Sequence, residues 1–376
     1  MVVKRLYSDI KNKHILVATL HFYNNYGSVL QAFALKHILE SRYSCEVDFL
    51  PFRPPIQEYQ YFTEEHLKEK YKGKKEKFDS FRIKMLGLPS KNSDTLNGAF
   101  SLLGRKPSDY DAYVAGSDII WGREFSNLAN PYFLDFEDCG DRKRIAYAAS
   151  VILNANGNTE DNELFQRKLC HFSAIGMREK SAENIISKLS GGVPVQVVLD
   201  PTILLDRVDY RDIENDVSEY MGEPYLLSYF LTHDPAVVDY TNMIAQKLGL
   251  RVLHYFADYP INVFPNESQC FAFTGPGEFL SLIKNADIVF TNSFHGTCLS
   301  MVYRKPFYTY MAKRRMLSRV RDTVSSLGME NRFFMDYCDL TRIKLEIGYD
   351  EMETKLWELR QSSFDFLKRS LELCDV

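Results

Sequence analysis

The sequence lacks the features of a disulfide-rich, metal-binding or membrane-spanning protein. Its 376 residues include seven scattered cysteines, an odd number, with no CxxC pair. This spacing supports neither a disulfide framework nor a zinc site, so we expect reduced thiols and no bound metal. No apolar run approaches the roughly 18 residues of a transmembrane helix, and the N-terminus has no uninterrupted apolar core of a signal peptide. We therefore expect a cytoplasmic protein.

The sequence also lacks a basic excess and a nucleotide-binding fingerprint. Its 46 Lys and Arg against 50 Asp and Glu give a formal net charge of -4, which disfavours a general nucleic-acid binder. Neither a GxGxxG nor a Walker A sequence occurs, so the ligand need not be a dinucleotide.

What the sequence does contain is a regular alternation of short apolar runs and amphipathic helices, typical of parallel sheets covered on both faces. A chain of this length exceeds the roughly 250 to 300 residues at which cores divide, so we predict two domains of α/β class. The predicted bounds are 1–210 for an N-terminal α/β domain, 211–340 for a C-terminal α/β domain, and 341–376 for a terminal helix that packs back toward the first domain. Both domains are expected to be Rossmann-like and to face a cleft.

A charged, Tyr-rich insertion interrupts the first domain at about residues 53–107. We expect it to contain a charged helix that projects from the core or caps the cleft. The plainer interpretation is a solvated surface helix.

Polar and charged residues follow five of the predicted strands. Open α/β sheets bind ligands beyond the carboxyl ends of their strands, near the amides of the next helix. The stretches are YNNYGS, AGSD, REKS, DP and TNSFHGT, at residues 23–28, 115–118, 178–181, 200–201 and 291–297. Each has a structural explanation as a turn or helix cap, but together they predict one ligand site.

Three residues in these stretches are candidates for catalysis. His295, beside Gly296 at a predicted helix N-terminus, can exchange protons near neutral pH while adjacent amides hold an anion, or it only caps the turn. Arg178 can bind a carboxylate or phosphate through its planar fork, or form a structural ion pair with Glu179 or Asp118. Asp118 is a weaker candidate for activating a hydroxyl group.

Six stretches, taken jointly and in order, resemble the polysaccharide pyruvyl transferase family. They are NNYGSVLQAFAL, DAYVAGSDIIW, IAYAAS, GMREKSA, VVLDPTILL and ADIVFTNSFHGTCLSMVYRKPF, spread from about residue 14 to 330. The resemblance implies an enzyme whose fold is similar to the two-domain GT-B glycosyltransferases. It also implies transfer of a pyruvyl group from phosphoenolpyruvate (PEP) to a sugar, often as a ketal across two hydroxyls. The resemblance implies that this reaction belongs to the biosynthesis of a capsule, an exopolysaccharide or another surface polysaccharide. PEP is then a co-substrate, and no cofactor is expected.

The resemblance also implies a donor site in the second domain and an acceptor site in the first. Many family members place an arginine two residues before the histidine, where this chain has Ser293. The missing charge must then come from elsewhere, for which Arg178, Lys305 and Arg314 or Arg315 are candidates. The predicted donor-binding residues are Ser293, Gly296, Thr297, Lys305, Arg314 and Arg315, and the predicted acceptor-binding residues are Asn25, Tyr26, Gly27, Ser28, Gly116 and Ser117.

Two alternatives stay open. One is a glycosyltransferase that uses a nucleotide-sugar on the same architecture, because a shared fold does not establish a shared reaction. The other is a non-catalytic sugar-binding protein on that fold. The acceptor is expected to be a sugar or a lipid-linked oligosaccharide, and a lipid-linked one would bring the protein into peripheral contact with the inner membrane face.

Overall fold

The computed structural model describes residues 13–54, 65–122, 131–153, 157, 159, 161–231, 234–256, 273–311, 317–336 and 339–372. The chain divides into two compact units. The first contains Met1–Gln57, Arg82–Leu204 and Trp357–Val376, and the second contains Glu58–Phe81 and Leu205–Leu356. Among the described helices, none is long and apolar enough to span a membrane.

The first unit contains a seven-stranded parallel sheet. Its strands are β1 (His14–Ala18), β2 (Glu46–Phe49), β3 (Ala112–Ala115), β4 (Asp118–Trp121), β5 (Lys143–Val151), β6 (Ala174–Met177) and β7 (Val195–Val197). They follow the order β2-β1-β3-β5-β6-β7, with β4 paired to β5. All four residues of β3 and of β6 are buried, as expected for a parallel sheet covered on both faces.

The second unit contains a five-stranded parallel sheet. Its strands are β8 (Tyr225–Phe230), β9 (Arg251–Phe256), β10 (Ile288–Thr291), β11 (Phe307–Tyr310) and β12 (Phe333–Phe334), in the order β12-β11-β10-β8-β9. All six residues of β8 are buried, as expected for an interior strand that lies between β10 and β9.

Eleven α-helices lie within the described residues. They are α1 (Tyr26–Tyr43), α2 (Glu65–Phe81), α3 (Leu96–Leu103), α4 (Asn162–Leu169), α5 (Lys180–Leu189), α6 (Pro201–Leu204), α7 (Pro235–Leu248), α8 (Pro276–Asn285), α9 (Phe294–Val302), α10 (Leu317–Ser326) and α11 (Asp350–Glu372). The last part of α11 packs within the first unit, where Ser363 Oγ accepts a hydrogen bond from Leu199 N–H at 3.0 Å.

Both sheets have the same doubly wound topology. Counted along the chain, the first five strands of each path follow the spatial order 2-1-3-4-5, in which the winding direction reverses between strands 1 and 3. In such sheets the ligand crevice lies outside the carboxyl ends of the strands at this switch point. The switch point is between β1 and β3 in the first unit and between β8 and β10 in the second.

The α/β class with two parallel sheets is confirmed. Apolar periodicity predicts helices from Lys180 to Leu189 and from Pro235 to Leu248, and these are the observed bounds of α5 and α7. The sequence predicts a solvated surface helix in the insertion, and this prediction is wrong for one face of that segment. Lys74 and Phe78 of α2, and Arg82 of the π-helix Arg82–Leu86 that follows it, are at most 6% exposed. In addition, α2 groups with the second unit, although the sequence predicts it as part of the first domain.

Candidate functional site

The carboxyl ends of β3, β6 and β7 meet at a buried ionic cluster, which we define as Ser117, Arg178, Glu179 and Asp200. Arg178 Nη1 lies 3.2 Å from Asp200 Oδ2, and its Nε lies 3.4 Å from Glu179 Oε1. Ser117 Oγ donates to the same Asp200 oxygen at 2.5 Å. All four residues are at most 4% exposed.

Arg178 is therefore engaged by carboxylates of its own unit. Burial lowers the pKa of its guanidinium, but the carboxylates of Glu179, Asp200 and Asp118 outweigh burial and raise the pKa above its ordinary value. The predicted structural ion pair with Glu179 is confirmed, and Asp200 is the additional partner. These contacts give Arg178 the role of holding three strand ends together.

Asp118 lies beside this cluster, at the switch point of the first sheet. Its Oδ2 accepts a 2.6 Å hydrogen bond from Ser28 Oγ, and its Oδ1 accepts a 2.8 Å bond from Ile119 N–H. The residue is 8% exposed and has φ +87°, a backbone conformation that is unfavourable for a residue with a side chain. Such strain persists where surrounding contacts enforce it, and it is concentrated at functional sites.

The remaining predicted acceptor residues lie close by but have structural roles. Asn25 is the N-cap of α1, and its side chain accepts from Ser28 N–H at 3.2 Å. Tyr26 is fully buried, and Gly27 is buried in the first turn of α1. Gly116 has no room for a side chain, because a Cβ there would lie 2.9 Å from Thr19 Cβ.

In the second unit, the turn between β10 and α9 holds the predicted donor residues. Ser293 is the N-cap of α9, and its Oγ accepts from Gly296 N–H at 3.2 Å. Thr297 donates to the Ser293 carbonyl through both its N–H, at 3.0 Å, and its Oγ1, at 2.9 Å. The amides of Gly296 and Thr297, which the sequence suggests as anion donors, thus already have acceptors within the turn.

This turn is fixed tightly to the switch point between β8 and β10. Thr291 Oγ1 donates to the Tyr229 carbonyl at 2.5 Å, and Asn292 Oδ1 accepts from Leu231 N–H at 2.7 Å. A Cβ on Gly296 would lie 2.8 Å from Thr291 Oγ1 and 2.9 Å from Tyr229 Cδ1, so only glycine fits. His295 is consequently held in a rigid first turn, with 7% of its surface exposed.

Lys305 is not brought to His295. It lies between α9 and β11, at the amino edge of the sheet, whereas His295 follows the carboxyl end of β10. The nine residues of α9 separate the two positions by about 13 Å at 1.5 Å per residue. Burial lowers the pKa of the Lys305 ammonium, against an opposing effect of Asp287. The expectation that Lys305 completes the donor site is not supported, and Arg314 and Arg315 lie outside the described residues.

A surface cavity of about 670 Å³ lies elsewhere in the first unit and contains none of the predicted site residues. Its lining includes aromatic rings and four carboxylates, namely Phe52, Phe100, Phe136, Asp94, Asp135, Glu137 and Asp138. This concentration of acidic groups disfavours an anionic ligand such as PEP.

Two positioning residues were not identified from the sequence. Asp200 belongs to the predicted strand exit at 200–201, but its ion pair was not predicted, because its partner Arg178 is 22 positions away. Arg82 lies in the charged insertion, yet its guanidinium donates to the carbonyls of His21, at 2.6 Å, and Phe22, at 3.0 Å, in the loop that leads to α1. A long-range side-chain contact of this kind leaves no periodic signal in a sequence.

Two doubly wound parallel sheets, each with polar residues at its switch point, define a protein of the GT-B-like class with two Rossmann-like domains. The family model for polysaccharide pyruvyl transferases matches residues 25–311, which is most of the chain. This protein therefore belongs to the polysaccharide pyruvyl transferase family. No curated protein sequence matches the chain.

Solved structures that resemble this chain include two UDP-N-acetylglucosamine 2-epimerases. The UDP-N-acetylglucosamine 2-epimerase from Rickettsia bellii is 9% identical, with 96% of this chain and 98% of that chain covered and a TM-score of 0.51. The Methanocaldococcus jannaschii UDP-GlcNAc 2-epimerase, in complex with UDP-GlcNAc and UDP, is 13% identical, with 91% and 92% covered and a TM-score of 0.48. Anabaena HepE, in complex with UDP and glucose, is 9% identical, with 95% and 100% covered and a TM-score of 0.44. At 9% identity, the similarity to the Rickettsia bellii epimerase concerns the fold alone.

Proposed function

We propose that this protein transfers a pyruvyl group from PEP to a sugar hydroxyl pair, forming a ketal in the biosynthesis of a capsular or other surface polysaccharide. Membership of the family supports the class of reaction. The observation that carries the proposal is the position of His295, which lies in the rigid first turn of α9 at the switch point of the second sheet.

His295 is proposed as the proton-transfer residue. Its imidazolium donates a proton to the PEP methylene carbon, which makes C2 electrophilic, and the first sugar hydroxyl then forms a C–O bond to C2. The neutral imidazole accepts the proton that this hydroxyl loses. A second hydroxyl forms the other C–O bond as the C2–O bond to phosphate breaks, and the proton that this hydroxyl loses passes to the departing phosphate. The products are the ketal and inorganic phosphate. Burial of His295 keeps bulk water from competing with the sugar.

The first unit is proposed to supply the acceptor contacts. The Asp118 carboxylate can accept a proton from a sugar hydroxyl, and the bonds from Ser28 and Ile119 fix its orientation. The ionic cluster acts indirectly, because it holds Ser117, the residue before Asp118, against Asp200. The acceptor is proposed to be a sugar or a lipid-linked oligosaccharide. We propose a cytoplasmic location, and a lipid-linked acceptor would place the enzyme at the inner membrane face.

The transfer is proposed to need no metal ion. In the part of the chain that the structure describes, no group of three or more His, Cys, Asp or Glu residues could hold one. If the proposal is right, turnover is unchanged after treatment with a chelator. Loss of activity that a divalent ion restores would refute this part of the proposal.

The proposal is tested by incubating the protein with PEP and galactose-type acceptors and measuring phosphate release, together with the gain of a pyruvyl ketal by mass spectrometry. His295→Ala should remain folded and lose about 10²- to 10⁴-fold in turnover, the usual contribution of general acid–base catalysis. Parallel incubations with nucleotide-sugars identify the alternative, because nucleotide release without PEP consumption would indicate a glycosyltransferase. Unchanged turnover in His295→Ala would exclude the assigned role.

A further inference from the structure

The side-chain amide of Gln31 connects the first turn of α1 to the loop that follows β1. Gln31 lies in α1 and is fully buried. Its Nε2 donates to Thr19 Oγ1 at 3.0 Å, to the Leu20 carbonyl at 3.1 Å and to the Ser28 carbonyl at 2.9 Å. One amide group thus holds the exit of β1 against the start of the helix.

The Thr19 hydroxyl extends this connection to the neighbouring strand β3. It accepts from Gln31 and donates to the Ser117 carbonyl at 2.7 Å. The Thr19 side chain also packs against Gly116, where a Cβ would lie 2.9 Å from Thr19 Cβ. Thr19 is 2% exposed and Ser117 is fully buried. The end of β3 is therefore fixed by Thr19 immediately before the chain reaches Asp118.

Two routes lead from the Gln31 amide to Asp118. One passes through the Thr19 hydroxyl to Ser117, the residue before Asp118. The other passes through Ser28, whose carbonyl accepts from Gln31 and whose Oγ donates to Asp118 Oδ2 at 2.6 Å. The φ of +87° at Asp118 is a strained conformation, which persists where surrounding contacts enforce it. Both routes supply contacts of that kind.

The hydrogen bonds from Gln31 fix α1 against the strand exits. Two of the three acceptors, on Thr19 and Leu20, lie outside the helix. A buried acceptor that loses its donor costs about 1–3 kcal/mol, so the amide resists displacement. The Thr19 hydroxyl both accepts and donates, and hydrogen bonds in such a chain strengthen one another at a buried site. The network around Asp118 is consequently rigid.

We propose that Gln31 is a positioning residue for Asp118, and that its amide sets the orientation of the carboxylate that accepts the proton of the sugar hydroxyl. The inference rests on the proposed function. It adds a residue from the body of α1, beyond the predicted strand exit at residues 23–28.

The test compares the wild type with Gln31→Met, which keeps the length of the side chain and removes its donors. In the PEP assay, kcat should fall about tenfold or more, because the carboxylate loses its enforced orientation, whereas KM for PEP should not change. Thr241→Val is the matched control, because the buried Thr241 hydroxyl donates to the Val237 and Val238 carbonyls, at 2.8 and 2.9 Å, in the second unit. It should keep the wild-type kcat. Thermal unfolding of each variant confirms that it is folded.

A double-mutant cycle with Asp118→Asn separates positioning from a general structural effect. If Gln31 acts through Asp118, adding Gln31→Met to Asp118→Asn should lower kcat by less than about twofold, because the group that Gln31 orients is already lost. A further loss of about tenfold in that background would overturn the inference, as would a wild-type kcat in folded Gln31→Met. If Gln31→Met does not fold, Thr19→Val takes its place in the cycle, with the same expected and overturning results.

Hydrogen exchange separates this inference from the proposed function, because it needs no substrate. The Ile119 N–H donates to Asp118 Oδ1 at 2.8 Å, so its protection reports on the position of the carboxylate. Peptides that cover residues 117–119 should exchange faster in Gln31→Met than in the wild type, and Thr241→Val should match the wild type there. If the wild type consumes no PEP but Gln31→Met shows this local loss of protection, the proposed reaction fails and the positioning role stands. Wild-type protection in Gln31→Met would overturn the inference.

Discussion

Ser28 Oγ and Asp118 Oδ2 are joined by a 2.6 Å hydrogen bond between the first turn of α1 and the start of β4. The two residues are 90 positions apart in the chain, and both are buried at the switch point of the first sheet. Because the serine fixes the carboxylate and φ at Asp118 is +87°, this side chain is positioned at some cost in backbone energy. The geometry fits a carboxylate that acts on a ligand.

The first prediction concerns this pair. Asp118→Asn keeps the size of the side chain and its tolerance of positive φ but removes the base, so kcat should fall by about 10²-fold or more. Ser28→Ala leaves the carboxylate in place and removes one orienting bond, so the loss should be smaller, about tenfold. Ser101→Ala, at an exposed serine of α3, is the control. Equal kcat in Asp118→Asn and the wild type would remove Asp118 from the mechanism.

Substitution of Arg178 should lower the stability of the protein rather than its affinity for PEP. Removing one partner of a buried ion pair leaves carboxylates without their counter-charge, which typically costs about 3–5 kcal/mol. Arg178→Met should therefore lower the free energy of unfolding by that amount in urea titrations, whereas Arg167→Met, at an exposed position of α4, should not. Arg178→Lys should be intermediate, because an ammonium cannot reproduce the fork. A variant with wild-type stability and a raised KM for PEP would instead restore Arg178 to the donor site.

Two glycines give opposite expectations for the same substitution. Gly296→Ala introduces a methyl group within 3.0 Å of Thr291 and of the buried Tyr229 ring, so it should destabilise the protein by about 1–3 kcal/mol. Gly73→Ala, inside α2, adds a methyl group that meets no atom within 4 Å beyond its chain neighbours and the backbone of its own helix. It should stabilise the protein by roughly 0.5–1 kcal/mol through helix propensity. Chemical denaturation of both variants measures the difference. A stable Gly296→Ala protein would show that the turn can move.

The stability of the protein should fall in mild acid because of His21. Burial lowers the pKa of His21 to about 4, against an opposing hydrogen bond to the Leu50 carbonyl and with a further lowering by Arg82. The folded state thus favours the neutral ring. The stabilisation that results is fully present above pH 6.5, the ordinary pKa, and is lost as the pH falls toward 4. The free energy of unfolding that is lost over this pH range is about 3 kcal/mol.

His21→Gln is the variant that checks this dependence. Between about pH 7 and pH 4.5, the free energy of unfolding of the wild type should fall by roughly 2–3 kcal/mol more than that of the variant. His171→Gln, at an exposed histidine, should retain the wild-type dependence. Identical pH profiles for His21→Gln and the wild type would show that His21 does not carry the effect.

Periodicity predicted the strands and helices well, because burial repeats along each element. The helices α5 and α7 have the predicted bounds, and the polar strand exits were placed at the correct edges. The sequence did not indicate β4, which begins at Asp118 in a conformation that side-chain patterns do not encode. It also could not show that Lys74 is buried, since the neighbouring residues Lys72 and Lys75 are exposed and the segment has the composition of a surface helix.

The close packing around Gly296 has a consequence for where this protein can vary. A methyl group at this position would come within 3.0 Å of Thr291 and of the Tyr229 ring, so the turn between β10 and α9 is shaped by the strands on both sides of it. A substitution that reshapes this turn would also disturb the centre of the second sheet. Changes in ligand preference that keep the fold are therefore expected at positions outside this turn, while His295 and the core beneath it stay as they are.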